Sequence, residues 1–365
     1  MPPLGVPATH TAAAHATATR PLDVLIVSLG STAGLRRADE ELRDSLARAG
    51  ASVAIASAAA PQPRRTLMLT DLVWARAARA AAGRALAAQP LPPRAIVYSS
   101  TTAALLWPQP GAIRFDAPAA ANRPGRHGLW QRPLERRRLE RSPLLLPWSE
   151  GGLEEVPGAA RAGDRALVLP VAVQASGPPE PERDIAAIAY AANPLKKGLD
   201  RVLAVWSKVR RELPAGEAPP ELVVAGATVE EIRAGGVEIG AAEGVRVVGP
   251  LSPLGYRALL RRARVFVCAP RREDYGIAQL EALADGCLLV TTPAPGPYAA
   301  LPIARRLDPR LAGENLERGL RTALTRPADD YAARASRELE PFTREAVDLL
   351  VAAQLLARVR AGAPD

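Results

Sequence analysis

Cysteine, histidine and methionine are scarce in this 365-residue chain, at two, three and two residues. Two lone thiols, Cys268 and Cys287, both inside apolar strand-like runs, make no disulfide framework and fit a reducing, cytoplasmic setting. Of the three histidines, His10 and His15 fall in the first twenty residues, which leaves no set of metal ligands. Aromatic residues make up 4%. No apolar run approaches the ~20 residues a membrane-crossing helix needs. Residues 1–20, rich in Ala, Thr and Pro without an apolar centre, read as a disordered extension and not a signal peptide.

What is present is apolar bulk and positive charge. Hydrophobic residues reach 48%, and the length favours two domains, each with its own core. The net charge of +9 attracts anionic partners, of which nucleotide phosphates and lipid headgroups are the first candidates. The densest cluster, Arg132 to Arg141 (RPLERRRLER), reads foremost as a solvated helix face with Glu–Arg pairs. Its second reading is peripheral contact with an anionic membrane. No interleaved aromatics or recognition motif accompany the charge, so nucleic acid is not an expected partner.

Alternation of strands and helices runs through the whole chain. The first half opens with a strand at Asp23–Gly30, a Gly30–Gly34 loop, a helix from Arg37 to Ala49 closed by Gly50, and a strand at Ser52–Ser57. A helix over Asp71–Ala88 follows, then strands at Ala95–Tyr98, Ala112–Phe115 and Leu144–Leu146, with the arginine-rich helix before the last. Gln174 to Arg183 is rich in Pro, Gly and Glu and marks a domain boundary. The second half restarts with strand Ile185–Tyr190, the loop Asn193-Pro-Leu-Lys-Lys-Gly198 and a helix to Arg211. Strands at Glu221–Ala225 and Val245–Val248 and a helix over Leu254–Arg262 come next. The expected domains are 21–175, 176–337 and a terminal amphipathic helix within 338–365 that crosses back to brace the first domain. The class is α/β, with two doubly wound parallel-sheet domains.

The most informative segment is Glu273-Asp-Tyr-Gly-Ile-Ala-Gln-Leu-Glu281. It follows an apolar strand, Val265 to Pro270, opens a helix from Ile277 to Ala284 that ends at Gly286, and leads to the strand Cys287–Thr291. In such βαβ steps ligands bind beyond the carboxyl ends of the strands, where helix starts offer unpaired N–H groups to anions. Glu273 belongs in that crevice and Glu281 faces it from the second helical turn. Two carboxylates beside an anion-binding helix start suit a ligand with one anionic part and many hydroxyls, as in a nucleotide-sugar.

These residues resemble the retaining glycosyltransferases of GT-B fold, glycosyltransferase family 4 in particular. Glu273 and Glu281 match the Glu-x7-Glu signature, Tyr275-Gly276 its aromatic-glycine pair, Glu281-Ala-Leu-Ala-Asp-Gly286 its continuation, and Lys196 to Asp200 its Lys-Gly phosphate motif. The match is specific over Ile185–Thr292 and diffuse over Asp23–Pro170. The resemblance implies catalytic roles for Lys197 at the donor pyrophosphate and Glu273 at the transferred sugar. It implies donor contacts by Glu281 (ribose), Gly276 and Ile277 (phosphate oxygens), Tyr275 beside them, Gly34 from the opposite domain, and Gly249 and Leu251 near the base. The nucleoside-diphosphate sugar is then a substrate, no cofactor or metal is implied, and the acceptor (glycan, lipid or small molecule) is open.

Two departures from the family pattern stand out. Ala191 occupies the position of an arginine six residues before the phosphate lysine, with Lys196 as a substitute cation and Asn193 as a residue that reshapes the loop. No histidine stands where the family has one in its first domain, and Asp116 takes that catalytic place, with His127 as a second candidate. These departures motivate the alternative of a weakly active nucleotide-sugar-binding homologue serving as a partner subunit.

Overall fold

In the computed structural model the described residues are 20–62, 65–123, 125–161, 164–213, 219–239 and 244–361. The expected N-terminal extension, apart from Arg20, lies outside them. Two five-stranded sheets, both wholly parallel, organise the chain. The first contains β1 (Val24–Ser28), β2 (Val53–Ser57), β3 (Ala95–Tyr98), β4 (Ala112–Phe115) and β5 (Leu145–Pro147), in the order β2-β1-β3-β4-β5. The second contains β6 (Ile185–Tyr190), β7 (Leu222–Ala225), β8 (Val245–Gly249), β9 (Ala263–Cys268) and β10 (Leu288–Thr291), in the order β10-β9-β6-β7-β8. In each sheet the order reverses beside the first strand, so the ligand crevice of such a sheet falls at the ends of β1 and β3, and of β6 and β9.

Helices fill the connections. In the first half they are α1 (Ala33–Arg48), α2 (Leu67–Ala87), α3 (Thr101–Ala104), α4 (Gln131–Arg141), α5 (Glu150–Glu154) and α6 (Gly158–Arg161). In the second they are α7 (Leu199–Glu212), α8 (Val229–Ala234), α9 (Pro253–Arg262), α10 (Ile277–Ala284), α11 (Ala300–Leu307), α12 (Leu316–Thr325) and α13 (Tyr331–Glu338). The chain closes with α14 (Arg344–Leu350) and α15 (Leu356–Ala361), joined by a π-helical turn at Val351–Leu355.

Several boundaries differ from the sequence reading, each for a local reason. α1 begins at Ala33 and not Arg37 because the Thr32 side chain accepts from Leu35 N–H and caps it. α2 begins at Leu67 and not Asp71 because Thr66 caps it in the same way. Cys287 precedes β10 instead of lying in it, and its thiol donates to the Leu260 carbonyl at 3.1 Å. Glu338–Arg360 is not one helix: Pro341 sits in a 3-10 turn at Glu340–Phe342, and Thr343 caps a fresh start at α14. Val347, Val351, Leu355, Leu356 and Val359 of this segment share a core with Val24, Ile26, Leu42 and Leu46 of the first sheet and α1. In the arginine-rich α4, Glu140 pairs with Arg136. Glu135 turns inward instead and accepts from Ala119 and Ala120 N–H at 2.7 and 2.8 Å.

The two halves are in direct contact. Ala38 and Trp148 of the first half belong to the large apolar core of the second. Tyr275 packs its ring edge-on against Trp148, with centroids 5.2 Å apart, and its hydroxyl accepts from Val171 N–H at 3.1 Å.

Candidate active site

Glu273 and Lys197 form the centre. The loop after β9 carries Glu273, whose buried carboxylate Oε2 accepts from Lys197 Nζ at 2.6 Å and from Gln279 Nε2 at 2.9 Å. Lys197 is held there by its backbone. Gly198 has φ of 70°, and a β-carbon on it would sit 1.8 Å from the Ala269 carbonyl oxygen, so only glycine lets this loop lie against the end of β9. Asn193 takes the bend: its carbonyl accepts from Lys197 N–H at 2.9 Å and its side chain from Lys196 N–H at 3.2 Å. Arg271 clamps the other side, donating from its N–H to the Lys196 carbonyl and from its guanidinium to both Asp200 oxygens.

Gly276 and Ile277 start α10 beside this pair. Gly276 adopts φ of 96°, and a β-carbon there would lie 3.2 Å from the Tyr298 ring. No side chain caps the helix start, which leaves its first N–H groups and the positive end of its dipole for an anion. Tyr298 packs beneath, its phenol 2.6 Å from Thr291 Oγ1 and its pKa raised by burial. The start of α1 faces the start of α10: a β-carbon on Gly34 would be 3.6 Å from Ile277 Cδ1.

Glu281 lies one turn along α10, its side chain 8% exposed. Arg37 of α1 reaches across the junction and donates to its Oε1 at 2.5 Å, while Arg257 of α9 stands 3.5 Å away. Arg257 is otherwise committed to both Asp285 oxygens and to the Gln174 carbonyl. Behind Glu281 the rings of Tyr190 and Tyr256 pack with centroids 5.2 Å apart.

A second charged group crosses the junction on the Lys196 side. Asp274 accepts from Lys196 Nζ at 2.8 Å, Arg272 Nε at 2.8 Å and Asn122 Nδ2 at 3.3 Å, and Arg272 also donates to Glu155 at 3.0 Å. Asn122 and Glu155 belong to the first half, so Asp274 and Arg272 tie the halves together. Burial opposes the Asp274 charge, but Lys196 and Arg272 outweigh it and hold its carboxyl below the usual range. Asp116, at the end of β4, accepts from Ala117 N–H at 2.8 Å. Burial first, then the Asp274 charge, push its carboxyl up to about 6.

The residues singled out from the sequence therefore do not all share one place. Glu273, Lys197, Gly276, Ile277, Glu281, Gly34, Lys196, Asn193 and Asp116 line one interdomain region. Tyr275 is turned away from it, into the wall between the domains. Gly249 ends β8 and the exposed Leu251 follows it, three strands from β9 and so about 14 Å along the sheet. Ala191 is wholly buried and places nothing in the site, and His127 lies exposed in a 3-10 turn. Arg37, Arg257, Gln279 and Arg272 were not marked by the sequence reading. Gln279 was accessible to it as the residue two positions into the helix after Ile277, whereas the arginines reach the site only through tertiary packing. Among the described residues no group of three His, Cys, Asp or Glu could hold a metal ion.

Comparison with known proteins agrees with this geometry. Residues 182–306, which carry Lys197, Glu273 and Glu281, match the family model of glycosyl transferases group 1. No curated protein matches the sequence. Among solved structures the chain is similar to sucrose-phosphate synthase from Thermosynechococcus elongatus, with TM-score 0.69 and 14% identity over 94% of this chain and 100% of that one. It is also similar to WaaG, a glycosyltransferase involved in lipopolysaccharide biosynthesis, with TM-score 0.66 and 15% identity over 90% and 99%. A third is Anabaena HepE, solved in complex with UDP and glucose, with TM-score 0.62 and 12% identity over 92% and 99%. The fold is GT-B, two Rossmann-like parallel-sheet domains set face to face.

Proposed function

We propose that the chain is a glycosyltransferase that moves a sugar from a nucleoside-diphosphate donor to an acceptor hydroxyl with retention of configuration. The observation that carries this is the Lys197–Glu273 pair, 2.6 Å apart beside the uncapped start of α10 in the interdomain junction. The group 1 family match over residues 182–306 supports it, and so does the GT-B fold.

In this reading Lys197 and the α10 N–H groups take the donor diphosphate. They stabilise charge as it develops on the leaving phosphate, and a single such donor typically contributes ~10²–10³ in rate. The helix dipole adds roughly 0.3–1 kcal/mol. Diphosphate binding draws Lys197 from Glu273, whose carboxylate then accepts from hydroxyls of the transferred sugar, held by Gln279. Glu281 accepts from the ribose hydroxyls and exchanges Arg37 for them. Asp116, from the first domain, faces the sugar and acceptor. With Ala191 offering no charge, Lys196 beside Lys197 is a second cation, and its present partner is Asp274.

The test is turnover. Purified protein is incubated with a panel of nucleoside-diphosphate sugars and acceptors, and free nucleoside diphosphate is measured. Acceptor-dependent release from one donor, abolished in Lys197→Ala, supports the proposal. Donor binding without release under every acceptor favours the binding-subunit alternative.

A further inference from the structure

We propose that Arg257 is a positioning residue for the donor ribose: it steadies the Glu281 carboxylate while Arg37, the other cation there, gives way. This rests on the transfer reading above and deepens it at the ribose.

Among the described residues Arg37 and Arg257 are the cations paired with Glu281, and they reach it from different domains. Arg37 comes from α1 of the first domain, with its side chain 40% exposed, and its Nη1 donates to Oε1 at 2.5 Å. A donation that close occupies an oxygen that ribose hydroxyls need. Arg257 comes from α9, in the same domain as Glu281, and its side chain is 6% exposed. Its Nη1 stands 3.5 Å from the same oxygen, too long for a strong hydrogen bond yet close enough for charge attraction. Arg257 therefore supports the carboxylate and leaves its lone pairs open.

Arg257 is also fixed where Arg37 is free to leave. Its Nε and Nη2 grip the two Asp285 oxygens at 2.5 and 2.8 Å, a bidentate fork. Nη2 donates again to the Gln174 carbonyl at 2.6 Å. Asp285 is wholly buried at the end of α10, and its Oδ1 accepts from Ser176 N–H at 2.8 Å. Glu281 and Asp285 stand four residues apart, so they share a helix face and one guanidinium spans both.

Room for the exchange lies next to the pair. A cavity of about 170 Å³ adjoins Arg37 and Arg257, and Glu41 lines it. Glu41 is one turn beyond Arg37 on α1, the spacing at which opposite charges pair, and it already accepts from Arg344 at 3.2 Å. Ribose hydroxyls arriving at Glu281 thus release Arg37 toward Glu41. Arg257 then remains as the cation beside a buried carboxylate that is costly to leave unpaired.

The experiment is equilibrium titration of UDP, GDP and ADP, and of their 2′,3′-dideoxy counterparts, into wild type, Arg257→Gln and Arg257→Lys. Hydroxyl hydrogen bonds to a charged group are worth about tenfold or more in affinity, so wild type should prefer the ribonucleotide by at least that ratio. Arg257→Gln should shrink the ratio to about threefold or less, and Arg257→Lys, which restores the charge, should recover part of it. A residue that only supports the fold would weaken both ligands alike. An unchanged ratio in Arg257→Gln therefore overturns the positioning role and leaves the ribose place of Glu281 standing. If Arg257→Gln disturbs folding, Arg257→Met with Asp285→Leu removes the buried pair together and reads the same ratio. Wild type that binds both ligands equally, or binds none of them, overturns the ribose place of Glu281 and the proposal with it.

Discussion

Arg37 and Glu281 stand 244 residues apart in sequence, yet Arg37 Nη1 lies 2.5 Å from Glu281 Oε1 across the domain junction. Arg37 rises from α1, three residues beyond Gly34, and Glu281 lies one turn into α10, so the pair joins the two helices whose starts already touch. The Glu281 side chain is 8% exposed and Arg37 40%, which places the interaction between a buried and a surface ion pair. A coupling of about 1 kcal/mol in a double-mutant cycle of Arg37→Ala and Glu281→Gln is expected. Solution scattering should show a larger radius of gyration for Arg37→Ala than for wild type without ligand. Equal radii and no coupling would remove Arg37 as a domain latch.

Lys197→Met separates chemistry from folding. The charged hydrogen bond to Glu273 is lost from a buried carboxylate, so urea unfolding should show a loss of about 2 kcal/mol. Under the proposed transfer, in which the ammonium acts on the leaving phosphate, turnover should fall about 10²–10³-fold, chiefly in kcat. A variant that loses stability but keeps kcat would assign Lys197 a purely structural place.

Gly198→Ala should be costly although the added group is one methyl. The residue has φ of 70°, and its β-carbon would meet the Ala269 carbonyl at 1.8 Å. The left-handed conformation alone costs ~1–2 kcal/mol for an L-residue, and the clash adds to it. Denaturant midpoints should report a loss of about 2 kcal/mol or more, and donor affinity should fall with it because Lys196 and Lys197 move.

Asp116 gives a pH signature. Its carboxyl is pushed up to about 6 by burial first and Asp274 second, above the ordinary 3.8. A raised acid binds more protons folded than unfolded between those values, so the contribution of Asp116 to stability declines as pH rises from near 4 to near 6. Asp116→Asn should remove that contribution, so the difference in stability between variant and wild type carries it. The variant should be more stable than wild type at pH 7 and equal to it below pH 4, as urea melts across the range will read. A variant less stable at pH 7 contradicts the raised value.

How much of this was legible in the sequence follows from physics of different range. Strands β3, β4 and β6 were placed to the residue because buried parallel strands are continuous apolar runs between polar turns. The grouping of Glu273, Gly276 and Glu281 at one helix start follows from the sequence because their spacing is local to one loop and one helix. The starts of α1 and α2 lie earlier than the sequence implies, since the capping Thr32 follows a glycine-serine loop and Thr66 stands between two arginines and an apolar triplet without helical spacing. The terminal segment was read as one helix because its apolar period survives Pro341, while its backbone does not. Tyr275 was assigned to the ligand by its neighbours in the motif, but Trp148, from the other domain, claims its ring. Arg37 carries no local signal at all, because its partner is supplied by the packing of one domain on the other.

The most direct test of the central claim is calorimetric titration of UDP, GDP and ADP, and of their sugar conjugates, into wild type and Glu281→Ala. The account expects one nucleoside diphosphate to bind wild type and the variant to lose most of that affinity, since its ribose hydroxyls no longer have an acceptor. Absence of binding to any of them, or binding that Glu281→Ala leaves unchanged, would contradict it.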